Sequence, residues 1–271
     1  MRGKLGSLAA RLAQHELASR VISALGLALV ALGATAVGGV FFALLWTCAA
    51  SLFFAEFLAM VVYRPLVAGA GLGAVGMMAA AFGLERGLFL VSLASLGVTG
   101  LMIVIRAETK ATGLIGVAGL LYASCVALPV IVLRSEPQHG FALTVWLYAL
   151  VWATDIGAFF VGRRLGGPKL WKRVSPKKTW SGLLGGTIIG VGAASIVNFL
   201  VPAIQVSGLG LICVSVAGSL AAHLGDLLES ALKRRYSLKD SSQLIPGHGG
   251  FMDRLDGFAL ASLVVVMILR A

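Results

Sequence analysis

Between His223 and Asp256 the chain reads HLGDLLESALKRRYSLKDSSQLIPGHGGFMDRLD, and this stretch holds five of the eleven acids in the sequence: Asp226, Glu229, Asp240, Asp253 and Asp256. Lys233, Arg234, Arg235, Lys239 and His248 lie among them. Clustered carboxylate oxygens suit a hard cation such as Mg²⁺. The glycines of Pro246-Gly247-His248-Gly249-Gly250 let backbone approach a phosphate closely and offer N–H donors to it. Lys and Arg supply charge-assisted hydrogen bonds to the same anions. The chemistry that fits is metal-assisted handling of phosphates. A structural ion-pair network of the acids with Lys233, Arg234 and Arg254 is the alternative on spacing alone.

Two helices must position these groups. If 207–233 is helical, Asp226, Glu229 and Lys233 fall at i, i+3 and i+7 on one face, with His223 one turn earlier. Asp253 and Asp256 are again three apart, at the start of the last apolar segment. Both helices would point carboxylates toward a common place, joined by the polar loop. A second basic element precedes them. Residues Arg163 to Thr179 contain Arg163, Arg164, Lys169, Lys172, Arg173, Lys177 and Lys178 and no acid. That is more charge than membrane orientation needs, so a phosphate-binding role is expected beside a topological one. Asp155 sits near the cytoplasmic end of the preceding span, where it either pairs with a loop cation or belongs to the polar site. Glu56 stands alone near the middle of the second span. A charged acid there costs about 2.5–3.5 kcal/mol on insertion scales, so it must face protein or be protonated. It is read as a buried hydrogen-bonding group or an accessory site residue.

Composition excludes an ordinary soluble domain. Hydrophobic residues make up 59% of the 271, charged residues 12%, and the mean hydropathy is +0.96. Apolar runs long enough to cross a bilayer recur throughout, and the alternating short strands of a β-barrel are missing. The fold class is all-α: a polytopic membrane protein. Two spans within 21–63 divide near Gly38-Gly39. Others are expected near 67–83, 87–105, 112–133, 141–162, 181–201, 207–233 and 252–270, nine in all. The segment 207–233 exceeds what a bilayer needs, so its polar end should project from the hydrocarbon. With the N-terminus in the cytoplasm, every Lys and Arg except Arg86, Arg134 and Arg270 falls inside; this bias supports nine spans, N-in and C-out. The net charge of +11 then reflects topology and anionic lipid or nucleotide, not nucleic acid.

The expected organisation is a basic amphipathic segment 1–20, N-terminal helices over 21–140, and a catalytic region over 141–271 with cytoplasmic loops 163–180 and 233–251. The N-terminal segment reads equally as a solvated start to the first span; its long apolar continuation argues against a cleaved signal peptide. Cys48, Cys125 and Cys213 fall in apolar spans without CxxC spacing and are expected to be buried thiols. Gly71-Leu-Gly73-Ala-Val-Gly76 matches G-x-G-x-x-G but lacks a preceding strand, so helix packing is the better reading. Small-residue faces permit a homodimer.

The run SALKRRYSLKDSSQLIPGHGGFMDRLD, with S-x-x-K-R, K-D, P-G-H-G-G and D-R-x-D in register, resembles the signature of the bacterial phosphatidate cytidylyltransferases, the CDP-diacylglycerol synthases. TDIGAFFVGRRLGG (154–167) and SPKKTW (175–180) resemble that family's other segment. The resemblance covers about 150–271; the first half is similar only as a set of apolar spans. It implies transfer of cytidylyl from CTP to phosphatidate with Mg²⁺ and a second cation as an option, at the inner membrane of a bacterium, with the site facing the cytoplasm. Asp226 and Asp253 would be the principal metal ligands, with Glu229 and Asp256 supporting. Lys233, Arg234, Lys239, Lys177, Lys178 and Arg254 would meet phosphates. Ser175 and Thr179 would contact phosphate or metal-bound water, and Asp240 and His248 belong to the signature. Where the family commonly has Glu after S-P-K-K-T-W, this chain has Ser181. The rival readings are a CTP-dependent lipid kinase, with similar metal chemistry on a lipid alcohol, and an ion-coupled transporter, since intramembrane acids also mark ion pathways.

Overall fold

The computed structural model describes residues 21–201, 208–245 and 249–270. The basic segment 1–20 and His248 lie outside the described residues. Nine helices occur among those described: α1 (Val21–Val37), α2 (Gly39–Met60), α3 (Leu66–Glu85), α4 (Phe89–Arg106), α5 (Lys110–Arg134), α6 (Gly140–Leu165), α7 (Trp180–Leu200), α8 (Gly208–Arg235) and α9 (Met252–Leu269). Seven of them, α2 to α8, are long and apolar enough to cross a membrane. The chain is therefore an all-α polytopic membrane protein.

The boundaries follow local chemistry. Gly38 and Gly39 adopt φ of 70° and 52°, a left-handed conformation that separates α1 from α2 and that side chains with a Cβ rarely tolerate. The Thr109 hydroxyl accepts from the Thr112 amide at 3.1 Å and caps α5. Thr179 caps α7 in the same way, accepting from Gly182 at 3.1 Å. α8 has 28 residues and spans about 42 Å at 1.5 Å per residue, against a hydrocarbon layer of about 30 Å. Its acidic and basic last turns therefore have room to stand at or beyond the bilayer edge.

The core runs between α2, α5, α6 and α9. Trp46 stacks on Phe258 with ring centroids 4.6 Å apart, and its indole N–H donates to the Tyr148 hydroxyl at 3.1 Å. Phe53 meets Tyr122 edge-on. α6 and α7 pack through small residues: a Cβ on Gly186 would lie 2.7 Å from the Thr154 carbonyl, and one on Gly190 would collide with the Thr154 hydroxyl. The glycine-rich α3 behaves as expected of a packing helix. Gly73 lies against the Phe54 ring and Gly76 against the Thr99 side chain. The outward faces carry Leu, Ile, Val and Phe side chains, as a lipid-facing surface requires.

Two expectations are corrected. The loop 163–180 is not wholly irregular: β1 (Lys169–Trp171) and β2 (Ser175–Thr179) form an antiparallel hairpin. Five residues with a proline are too few to show a strand period. The cysteines are free, but Cys48 and Cys213 are exposed and Cys125 is only half-buried. In a membrane protein an apolar span marks a lipid-compatible helix without saying which face is inward.

Cross-helix bonds define the two ends. Arg134 Nε donates to the Thr35 carbonyl at 2.8 Å, and Arg270 pairs with Glu136 at 2.9 Å. At the opposite end the Tyr63 hydroxyl donates to the Ile103 carbonyl at 2.7 Å. The turns carrying Arg64, Arg106, the β1–β2 hairpin and the loop after α8 share that second end.

Candidate active site

The close of α8 and the opening of α9 meet at this end. A Cβ on Gly225 would collide with the Asp256 carbonyl, so only a glycine on α8 lets α9 approach this closely. The contact brings the two carboxylate pairs together, as their spacing requires. Lys233 joins them: its Nζ lies 2.7 Å from Glu229 Oε2 and 2.6 Å from Asp253 Oδ1. All three side chains are at most 12% exposed.

Asp226, one turn before Glu229, pairs instead with Lys178 of β2, Nζ to Oδ2 at 2.6 Å. Neighbouring strand residues point to opposite sides. Lys178 therefore reaches the acids and is half-buried, while Lys177 is exposed. The hairpin thus delivers one of its lysines to the acid cluster. Asp256 is buried and lies in electrostatic range of Asp226, Glu229 and Asp155. Asp155 lies in electrostatic range of Asp226, Lys178 and Arg254. It belongs to the polar site, but α6 continues to Leu165, about 15 Å beyond it. Asp155 is therefore deeper than expected.

Asp253 is held by more than Lys233. Its Oδ2 accepts from the Ser241 amide at 3.0 Å, the Ser241 hydroxyl at 3.0 Å and the Gly250 amide at 2.8 Å. Glu56 approaches from α2. Its Oε1 accepts from the Ser242 hydroxyl at 2.6 Å and the Phe251 amide at 3.0 Å. Its Oε2 accepts from the Ser241 hydroxyl at 2.9 Å and the Met252 amide at 2.8 Å. Glu56 stands about one turn from the C-terminal end of α2, not near mid-span, because α2 stops at Met60. It is the buried hydrogen-bonding group anticipated.

Several other residues expected at the site make no ion pair with the acid cluster among the described residues. Lys239 and Asp240 are exposed on the loop after α8 and take part in none of the ion pairs among the described residues. Arg234 is exposed, and its Nη1 donates to the Leu238 carbonyl at 3.2 Å. Ser175 pairs with Trp171 across the hairpin. Thr179 is buried at the cap of α7 and is bonded to Ser181 Oγ at 3.0 Å. Ser181 also donates to the Gly166 carbonyl, tying the start of α7 to the end of α6. Ser241 and Ser242 were not anticipated. Serines are common loop residues, and no spacing rule links them to an acid on α2.

The donor set can be weighed for a cation. No three His, Cys, Asp or Glu side chains converge as a ready ligand set among the described residues. Yet, among the described residues, the cations paired with or facing Asp155, Asp226, Glu229 and Asp253 are Lys178, Lys233 and Arg254, fewer than the acids gathered here. Glu229 Oε1 is buried without a hydrogen-bond partner among the described residues, an arrangement that is costly for a carboxylate. Hard oxygen donors with excess negative charge fit a divalent cation of the Mg²⁺ type. Glu229 thus keeps an open oxygen and Lys178 holds only one oxygen of Asp226, whereas the oxygens of Asp253 are largely taken.

Residues 18–271 match the model of the Cytidylyltransferase family. A phosphatidate cytidylyltransferase of Brucella suis biovar 1 (strain 1330) is 38% identical over 259 residues, 93% of each chain. Proteins of the same name from Bacillus subtilis (strain 168) and Haemophilus influenzae (strain ATCC 51907 / DSM 11121 / KW20 / Rd) are 42% and 46% identical over 126 and 131 residues, about half of each chain. The Brucella match extends well beyond residues 150–271, so the first half shares more than a pattern of apolar spans. The chain belongs to the Cytidylyltransferase family.

Proposed function

We infer that this membrane enzyme is a nucleotidyltransferase that makes CDP-diacylglycerol and pyrophosphate from CTP and phosphatidate. The observation that carries this reading is the buried junction of α8 and α9, where lysines and an excess of carboxylates meet beside Gly249 and Gly250 in a member of this family. An oxygen of the phosphatidate phosphate forms a bond to the α-phosphorus of CTP. The bond from that phosphorus to the bridging oxygen of the β-phosphate breaks, and pyrophosphate leaves with the electron pair. A phosphate monoester is already ionised near neutral pH, so no strong general base is required.

The obstacle is repulsion between two anions, which would amount to several kcal/mol in a low-dielectric site. Asp226, Glu229 and Asp256 would hold Mg²⁺, which supplies charge neutralisation at phosphate oxygens when bound. Lys178 and Lys233 stand close enough to these acids to exchange a carboxylate partner for a phosphate. Asp253 keeps Lys233 oriented. The exposed Lys177, Lys239 and Arg234 would attract the nucleotide without holding it in place. A second cation, with Asp155 nearby, has room in the charge balance.

The site end carries the basic turns, so it faces the cytoplasm of a bacterial inner membrane, with all nine helices spanning and the C-terminus outside. The same positive surface suits anionic lipid, and the small-residue faces suit a homodimer. The test is turnover of CTP with phosphatidate in lipid micelles as Mg²⁺ is titrated against a chelator. Activity that requires Mg²⁺ and is lost in Asp226→Asn supports the reading. Full turnover in excess chelator, or in Asp226→Asn, removes the metal assignment.

A further inference from the structure

We propose that Glu56 is a positioning residue for the transfer site, acting on Asp253 through Ser241; this rests on the reading above that Asp253 belongs to that site. The phosphate-handling groups all come from α8, α9, their joining loop and the β1–β2 hairpin, whereas Glu56 comes from α2, over 180 residues away in sequence. Four donors converge on its carboxylate, two serine hydroxyls and two backbone amides.

Two consequences follow from those partners. Phe251 and Met252 open α9, and no side chain of their own segment caps it. Glu56 accepts from both amides and so serves as the cap from another helix, placing negative charge at the positive end of the α9 dipole. The cap sets where α9 begins and hence where Asp253 and Asp256 stand. The second consequence concerns Ser241. Its hydroxyl has one proton and lies 2.9 Å from Glu56 Oε2 and 3.0 Å from Asp253 Oδ2. A hydroxyl donates one strong hydrogen bond at a time. The charge on Glu56 therefore competes with Asp253 for that proton and leaves Asp253 freer to hold Lys233. Gly250 makes the arrangement possible, since a Cβ there would collide with both the Ser241 hydroxyl and Glu56 Oε2.

Glu56→Gln is the informative substitution. It keeps the size and one acceptor oxygen but turns an NH₂ donor toward either Ser242 and Phe251 or Ser241 and Met252. Two readouts are needed. The first is hydrogen exchange of the amides of 249–253 in metal-free, substrate-free protein. Exchange in Glu56→Gln should accelerate by about tenfold or more, the loss of one or two charge-assisted bonds. The second is kinetics of Glu56→Gln, Ser241→Ala and the double variant. Each single variant should lower kcat by about tenfold with KM for CTP within about threefold, and the double should fall no further than the worse single, because the two act in series. Should Glu56→Gln fail to fold, Ser242→Ala touches Glu56 and not Asp253; it should still lower kcat measurably. Unchanged exchange, multiplicative losses in the double variant, or full kcat in folded Ser242→Ala would each overturn the proposal. The exchange arm stands even if the protein transfers no cytidylyl group, so failure of the proposal and of the functional reading are distinguishable.

Discussion

Lys233→Met replaces the ammonium that joins α8 to α9 with an apolar side chain of similar length. Glu229 Oε2 and Asp253 Oδ1 sit on the same nitrogen at 2.7 and 2.6 Å, so they are no more than roughly 5 Å apart. At an effective dielectric near 20, two charges at that spacing repel by about 3 kcal/mol. This agrees with the roughly 3–5 kcal/mol observed when one partner of a buried pair is removed. For a chain of this size it corresponds to a fall in unfolding midpoint of about 6–12 °C. The assay is thermal unfolding in detergent–lipid micelles with excess chelator, so that no added cation compensates. Glu229→Gln in the same background removes one of the two facing charges and should restore at least half of the loss. A Lys233→Met protein that unfolds within about 2 °C of the parent, or one not improved by Glu229→Gln, would refute the buried bridge.

Further outcomes follow from the geometry. Lys178→Met should lower kcat/KM by about 10²-fold, whereas Lys177→Met, altering only an exposed lysine, should change it less than threefold; equal losses would mean that the hairpin does not select one lysine. Thr179→Ala removes the cap of α7 and should cost about 1 kcal/mol of stability while leaving KM for CTP unchanged, measured by thermal unfolding and steady-state kinetics. Gly186→Leu forces α6 and α7 apart at the Thr154 carbonyl and should destabilise the protein by about 2 kcal/mol or more, read as a lowered unfolding midpoint.

Helix positions were legible because each apolar run is bounded by charge, glycine or proline, and Gly38-Gly39 marked the break inside the longest run. The shared face of Asp226, Glu229 and Lys233 on α8 followed from helical periodicity, whereas the bridge from Lys233 to Asp253 of α9 is a tertiary contact. What the sequence did not reveal depends on direction. Lys177 and Lys178 are adjacent and chemically equivalent until a strand turns one inward and the other out. Cys48 and Cys213 lie in apolar spans, yet which face of such a span meets lipid is decided by packing. Glu56 could be recognised as an acid that needs partners. The identity of those partners, Ser241, Ser242 and the first amides of α9, is a tertiary fact with no local signal. Asp155 was recognised as polar and near the basic loop, but its depth depends on how far α6 continues past it.

The most direct test of the central claim uses purified protein, phosphatidate, Mg²⁺ and CTP labelled separately at its α- and γ-phosphates. Cytidylyl transfer requires the α label to appear in lipid and the γ label to be released as pyrophosphate. Appearance of the γ label in lipid, or of neither label with folded protein and an active control enzyme, would contradict the account.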